Sequence, residues 1–145
     1  MTTSSIEQEL ARRGSLVYTN VGSSMRPLIR QGRDLLLIRP CTGRLRKYDI
    51  PLYRRPSGQY VLHRIVRVLP EGYLLCGDNC VRREPVADSQ ILGVLTGIQR
   101  GSRQISMSAP AMRLFARLWV GSYPLRLPVL LLRDRLRRIR LRKGG

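Results

Sequence analysis

Between residues 15 and 108 the apolar residues come in short runs separated by Gly, Pro and polar clusters, the pattern of strands joined by turns. Leu16 to Tyr18, Leu35 to Arg39 (closed by Pro40) and Tyr48 to Arg54 read as the first three strands. Pro51 cannot donate to a ladder, so it makes the third an edge or a bulge. Tyr60 to Leu69 and Gly72 to Gly77 follow, with Pro70-Glu71-Gly72 between them as a turn of hairpin length. Alternation along the first of these puts His63 on one face with Val61 and Ile65, and Arg64 on the other. Ile91 to Gln99 and Arg103 to Met107 form a last pair around Arg100-Gly101-Ser102. The expected fold is mainly β, a twisted and mostly antiparallel domain over 15–108 without internal repeats.

Both ends read as helical. Ser4 with Glu7 has the form of a capping box, and Ile6, Leu10 and the closing Gly14 predict a helix over about 5–13, within an N-terminal segment 1–14. After Ala109-Pro110, residues 111–120 carry Leu114, Phe115, Leu118 and Trp119 on one side, with Arg113 and Arg117 stacked at i, i+4. Gly121 ends that helix and Pro128 starts another. There Leu132, Leu136 and Ile139 line one stripe, and Arg133, Arg135, Arg137, Arg138, Arg140 and Arg142 fill the rest. Segment 109–145 is thus basic and amphipathic, suited either to an anionic membrane surface or to folding back on the β domain with its arginines in water.

Charge reinforces that picture. The chain has 145 residues, 27 Lys plus Arg against 9 Asp plus Glu, and only Lys47 and Lys143 are lysines. Residues 110–145 hold +10 and −1 of these charges, half of the net +18. Such a chain attracts phosphate or anionic lipid. Against nucleic acid stand the 6% aromatic content and the lack of a reader motif. No apolar run approaches the roughly 20 residues that span a bilayer, and the N-terminus lacks a signal-peptide layout. Three cysteines, Cys41, Cys76 and Cys80, fit a reduced cytoplasmic setting better than a disulfide scaffold. Cys76 and Cys80 lack the further ligands a metal site needs, so no metal or other cofactor is expected.

The candidate chemistry lies in Gly22-Ser23-Ser24-Met25-Arg26-Pro27. A serine becomes a nucleophile only when a base removes its proton. Lys47 and Lys143 sit outside plausible core positions, which leaves His63, the sole histidine. A lone histidine on an apolar face is by itself more often structural than catalytic.

Order and context change that weighting. Gly22-Ser23-Ser24-Met25-Arg26-Pro27, then Gly32-Arg33-Asp34, His63-Arg64-Ile65-Val66 and Gly77-Asp78-Asn79, resemble the motif series of the signal peptidase superfamily, the S24/S26 peptidases, over about residues 18–97. The resemblance implies the signal-peptidase/LexA-like catalytic fold and Ser24 as nucleophile, since Met25 and Pro27 align it. Most bacterial members of the family carry a Lys base on a later strand; here the matching strand carries His63, so the resemblance implies His63 as base, as in the family's His-base branch. His63 takes the Ser24 proton and returns it to the leaving amine. The family's final acid position is held by Glu84, with Asp78 as the other candidate or as an organiser of its loop; Arg82 and Arg83 stand ready to compete for Glu84. Gly22 replaces a serine that often assists the oxyanion, leaving the Ser24 N–H as donor and Ser23 as helper, an arrangement that suits a slow enzyme.

Two departures bear on substrate and place. Met25, Pro27 and Leu28, with Leu16 and Val17, are candidates for a substrate groove or for plain core. The family's membrane anchor before the serine is not seen, so the reading is a cytoplasmic enzyme, peripheral on a membrane if residues 112–145 bind one. Ala109-Pro110-Ala111 has the A-x-A form the family cleaves after. The expected function is a serine endopeptidase acting on a peptide or leader-like segment added as a β-strand. The alternative is a weak or inactive basic module on the same fold, binding an anionic membrane or nucleic acid.

Overall fold

Nine strands and three α-helices make up the computed structural model, which describes residues 5–19 and 22–144. Helix α1 (Ile6–Arg13) opens the chain; its N-cap is Ser5, whose hydroxyl accepts from Gln8 N while the Gln8 side chain accepts from Ser5 N. The capping box therefore lies one residue later than Ser4/Glu7, and Ser4 is outside the described residues. Gly14 closes α1 at φ 69°, a left-handed position that costs glycine no side-chain clash. Glu7 is freed from capping and accepts from the Tyr60 hydroxyl at 3.0 Å, fastening α1 to the β domain.

The strands are β1 (Leu16–Tyr18), β2 (Asp34–Arg39), β3 (Pro51–Arg54), β4 (Tyr60–Leu62), β5 (Arg64–Leu69), β6 (Gly72–Cys76), β7 (Arg83–Ala87), β8 (Ile91–Arg100) and β9 (Arg103–Ser106). All pairings are antiparallel. One sheet runs β1-β2-β8-β3-β4, and β9 also pairs with β8; the other is β5-β6-β7. Strand β8 is ten residues long, takes β2 along one edge, and takes β3 and β9 along the other. Helices α2 (Pro110–Gly121) and α3 (Tyr123–Lys143) follow.

The mainly β expectation holds, with informative differences. The run 60–69 is not one strand: β4 pairs with β3, β5 pairs with β6, and His63 is the single residue between them. The chain changes sheets there, which periodicity cannot reveal because the apolar pattern continues. Strand β3 starts at Pro51 because Tyr48 takes φ 81° and breaks the extended run. It is flanked on both sides, and its register against β8 slips between Leu52 and Tyr53, so the bulge reading of Pro51 fits and the edge reading does not. Strand β7 leaves no trace in the apolar pattern, because Arg83-Glu84-Pro85 interrupts any alternation. Helix α3 begins at Tyr123, five residues before Pro128; Pro124 suits a first turn, and Pro128 forfeits only one backbone bond inside a long helix.

Two apolar clusters hold the sheets. The larger includes Met25, Ile29, Leu36, Ile38, Leu52, Leu95 and Ile98, with Leu10 of α1 and, partly buried, Met112 and Phe115 of α2. The smaller joins Tyr53 and Val61 to Ile65, Tyr73, Leu75 and Val86, and so ties the two sheets together. Among the described residues no helix is long and apolar enough to cross a membrane.

Between β1 and β2 the chain makes the serine turn, anchored at its far end by Asp34. That carboxylate, with a fully buried side chain, accepts from Arg100 Nε (2.8 Å) and Nη2 (2.7 Å) and from the Arg30 N–H (2.8 Å). Arg100 also donates to the Leu28 carbonyl at 2.8 Å, inside the turn. The Arg100 hydrogen bonds hold the Asp34 carboxyl below its ordinary range. Its stabilisation is therefore present above the unfolded carboxyl pKa and lost as pH falls through the lower folded value. Asp34→Asn is expected to cost roughly 3 kcal/mol in urea denaturation at neutral pH, because it leaves Arg100 without its buried partner. It should also lose part of the acid dependence; a variant as stable as wild type at pH 7 would refute the anchoring role.

Candidate active site

The serine turn is set by what lies beneath it. Met25 is fully buried in the larger cluster, and its sulfur accepts from the Asp78 N–H at 3.4 Å. With Met25 pulled inward, Ser23 is left exposed and Ser24 half-buried. The loop after β6 then clamps the turn: Asn79 N donates to the Ser24 carbonyl (2.8 Å) and Asn79 Nδ2 to the Ser23 carbonyl (3.1 Å). Among the described residues the Ser24 N–H, the Ser23 N–H and both hydroxyls make no hydrogen bond, so they are available to a bound group.

His63 reaches the same place from the junction of the two sheets. A Cβ added at Gly77 would lie 3.1 Å from His63 Nε2, 2.7 Å from the Ser24 carbonyl oxygen and 2.7 Å from Cys80 Sγ. Only glycine at 77 allows this convergence. Ser24 and His63 line one cleft of about 1110 Å³, together with Asn79, Cys80 and the inner side of α3.

On its other edge the imidazole meets a hydroxyl rather than a carboxylate. Tyr53 Oη lies 3.3 Å from His63 Nδ1, and the same hydroxyl donates to Glu84 Oε1 in a very short hydrogen bond. Glu84 Oε1 is 3.7 Å from Nδ1, beyond hydrogen-bond reach, and the carboxylate is forked by Arg55, Nη2 to Oε1 at 2.6 Å and Nε to Oε2 at 3.2 Å. A phenol has one proton. With that proton donated to Glu84 but kept on the phenol, Tyr53 Oη can only accept from His63, so Nδ1 carries the hydrogen and the neutral ring presents the lone pair of Nε2 toward Gly77 and the serine turn.

The titration of these groups follows from their surroundings. Burial lowers the His63 pKa to about 4; Glu84 opposes the shift and Arg55 adds to it. Burial first, then the bond to Glu84, pushes the Tyr53 phenol well up. Burial alone would raise Glu84, but the Arg55 and Tyr53 hydrogen bonds outweigh it and hold the carboxyl below its usual range. His63 is therefore a neutral base, and Glu84 an ionised acceptor, across the physiological range.

The expected site residues separate into those that meet and those that do not. Ser24, Ser23 and His63 share the cleft, and Glu84 stands one hydroxyl behind the imidazole. Asp78 is elsewhere engaged: its buried carboxylate takes Arg64 Nε and Nη2, both at 2.8 Å, which suits an organiser of the 77–80 loop rather than a partner of the imidazole. The competitor for Glu84 is Arg55 from the β3–β4 turn, not Arg82 or Arg83. Met25 and Leu28 belong to the core and Pro27 is exposed outside the cleft, so none of the three substrate-contact candidates lines it. Nothing local marks Tyr53, because a tyrosine in an apolar strand reads as core; it is placed by the register that sets it directly opposite Val61, two residues before His63.

Among the described residues no group of three or more His, Cys, Asp or Glu is placed to hold a metal, and the three cysteines are free. No protein-family model, curated protein or solved structure matches the chain.

Because His63 is the only histidine, its ring protons give an isolated NMR titration. The expected midpoint is about 4, moving lower still in Glu84→Gln, since the Glu84 charge supports the protonated ring. A base with a folded pKa below its unfolded value of about 6.5 makes the unfolded state bind protons first. Stability is thus expected to fall as pH drops from about 6.5 toward 4, by roughly 3 kcal/mol from this group. A midpoint near 6.5 would refute the buried, neutral assignment.

Proposed function

We propose that the chain is a serine endopeptidase of the signal-peptidase type. The observation that carries the reading is the convergence across Gly77 of the Ser24 turn and an imidazole whose Nδ1–H is committed to Tyr53. Ser24 Oγ attacks the carbonyl carbon of the scissile amide while its proton passes to His63 Nε2. The charged ring is balanced through Tyr53 by Glu84, and the free Ser24 and Ser23 N–H groups face the developing oxyanion. His63 then gives the proton to the leaving nitrogen as the C–N bond breaks; water, activated by the same ring, hydrolyses the Ser24 ester. Ser24 Oγ and His63 Nε2 are not hydrogen-bonded in the resting site, and contacts of this kind commonly tighten around substrate. Antiparallel sheets that place the serine after a first short strand and the base between two sheets are in keeping with the signal-peptidase/LexA-like fold. Ala109 caps α2 and Ala111 lies in its first turn, so the Ala111 bond is helical and unsuited to a site that reads extended chain.

In a peptide-library digest, wild type is expected to cleave, and Ser24→Ala or His63→Ala to lose on the order of a thousandfold or more. Tyr53→Phe keeps the ring but removes the acceptor for Nδ1–H, and is expected to lower kcat by about ten- to a hundredfold with little change in KM. Equal residual cleavage by wild type and both alanine variants would remove the catalytic reading.

A second reading, a basic module that binds an anionic membrane and cleaves nothing, is favoured by one observation on α3. Leu125, Val129, Leu132, Leu136 and Ile139 recur at spacings of four and three and are 81%, 68%, 57%, 50% and 42% exposed. They form an uncovered stripe turned away from the cleft, with Arg140, Arg142 and Lys143 nearby. On flotation with vesicles, the protein is expected to rise with phosphatidylserine-containing but not pure phosphatidylcholine vesicles, and Leu132→Asp/Leu136→Asp to stay behind. Equal behaviour of the two proteins would exclude the stripe as a docking face.

A further inference from the structure

The cleft that holds Ser24 and His63 carries an excess of positive charge that neither residue needs. One wall is the inner side of α3, from which Arg133, Arg135, Arg137 and Arg138 reach it; Arg82 lies on another wall. Arg133 is used internally, Nη1 to Asn79 Oδ1 at 2.5 Å and Nη2 to the Asn79 carbonyl at 3.0 Å, and it also engages Asp134, the one carboxylate lining the cleft among the described residues. Arg55, at the far end, is held by Glu84. That leaves Arg82, Arg135, Arg137 and Arg138, all exposed and, among the described residues, without an ion-pair partner.

Four uncompensated guanidinium groups around one concave site repel one another, and each presents a planar fork of donors that fits a carboxylate. Their repulsion is relieved by an anionic occupant, and a concave low-dielectric wall concentrates the field on it. We propose that the cleft takes polypeptide segments bearing Asp or Glu beside the bond presented to Ser24, recognised by Arg82, Arg135, Arg137 and Arg138. This rests on the peptidase reading for the identity of the occupant, while the recognition itself needs no cleavage. Aspartate and glutamate side chains bring the charge on short stems that can enter beside an extended backbone. The inference assigns α3 the role of a specificity wall, on the side opposite its apolar stripe.

The test uses the full chain carrying Ser24→Ala, immobilised, and a decapeptide library in which one half fixes Glu and the other half Gln at a scanned position. Retention read by mass spectrometry is expected to favour Glu about tenfold at low salt, at positions adjoining the preferred cleavage point. Added salt should erase the preference. Arg135→Glu/Arg137→Glu/Arg138→Glu is expected to reverse it. Arg140→Glu/Arg142→Glu/Lys143→Glu, on the same helix but outside the cleft, is expected to leave it intact. Equal loss in both triple variants would mean attraction to overall charge and would overturn the inference, as would equal retention of Glu and Gln. The same library digested by wild type separates the two readings. Selective retention without cleavage sustains acidic recognition and removes the peptidase, whereas cleavage indifferent to Glu keeps the peptidase and removes acidic recognition.

Discussion

A hydroxyl has one proton to give, and Tyr53 gives its to Glu84. From that constraint the rest of the candidate site follows. The phenol oxygen has only acceptance left for His63, which fixes the imidazole tautomer, which in turn fixes Nε2 as the basic nitrogen. The arrangement needs Tyr53 in one sheet and Glu84 in the other, so it also requires the small apolar cluster that joins them. Arg55 keeps Glu84 ionised despite its partial burial, and without that charge the phenol would have no reason to turn away from the imidazole.

A second buried polar pair does the corresponding work beneath the serine. Arg64 follows His63 directly and grips Asp78, one residue after Gly77 and one before Asn79. The ion pair therefore fixes the sequence neighbours of the imidazole, the close-approach glycine and the clamp on the serine turn by a single contact. Trp119 Nε1 and Arg126 Nη1 donate to the Asp78 carbonyl, at 2.9 and 3.1 Å, so α2 and α3 are registered on the same loop. The polar groups of the site are thus ordered from below by charge and from the side by helices, while the apolar core supplies only the platform.

Much of this was legible in the chain before folding. Strand β1 and the β6 and β8 runs follow from local composition, because each is bounded by Gly, Pro or polar turns. Ser24 and His63 stand out by residue type and spacing. What could not be read is non-local. The break at His63 depends on which strands its flanks choose as partners, and the apolar pattern 60–69 is silent on that. Glu84 stands out as an acid candidate, but the Tyr53 hydroxyl between it and His63 does not, since no local feature distinguishes Tyr53 from a core tyrosine. Met25 and Leu28 read more readily as core than as groove, and their packing with Leu36, Leu95 and Ile98 places them in the core. Asp78 was separated from Glu84 by an arginine in the next strand over, a contact visible only in three dimensions.

The clamp on the serine turn has a meaning in time as well as in space. Ser24 is held by Asn79, and Asn79 is held by Arg133 of α3. Sheet β1-β2-β8-β3-β4 is likewise joined only when β8 arrives, with Arg100 closing on Asp34. Contacts so distant along the chain form late, because long loops must close first. Ser24 is therefore made before every group that holds it, and it is locked in place only when Asn79 and then Arg133 have followed. A chain made only as far as Ser24 still lacks His63 and the helix that walls the cleft, so the order of assembly leaves the cleft unformed until the fold is complete.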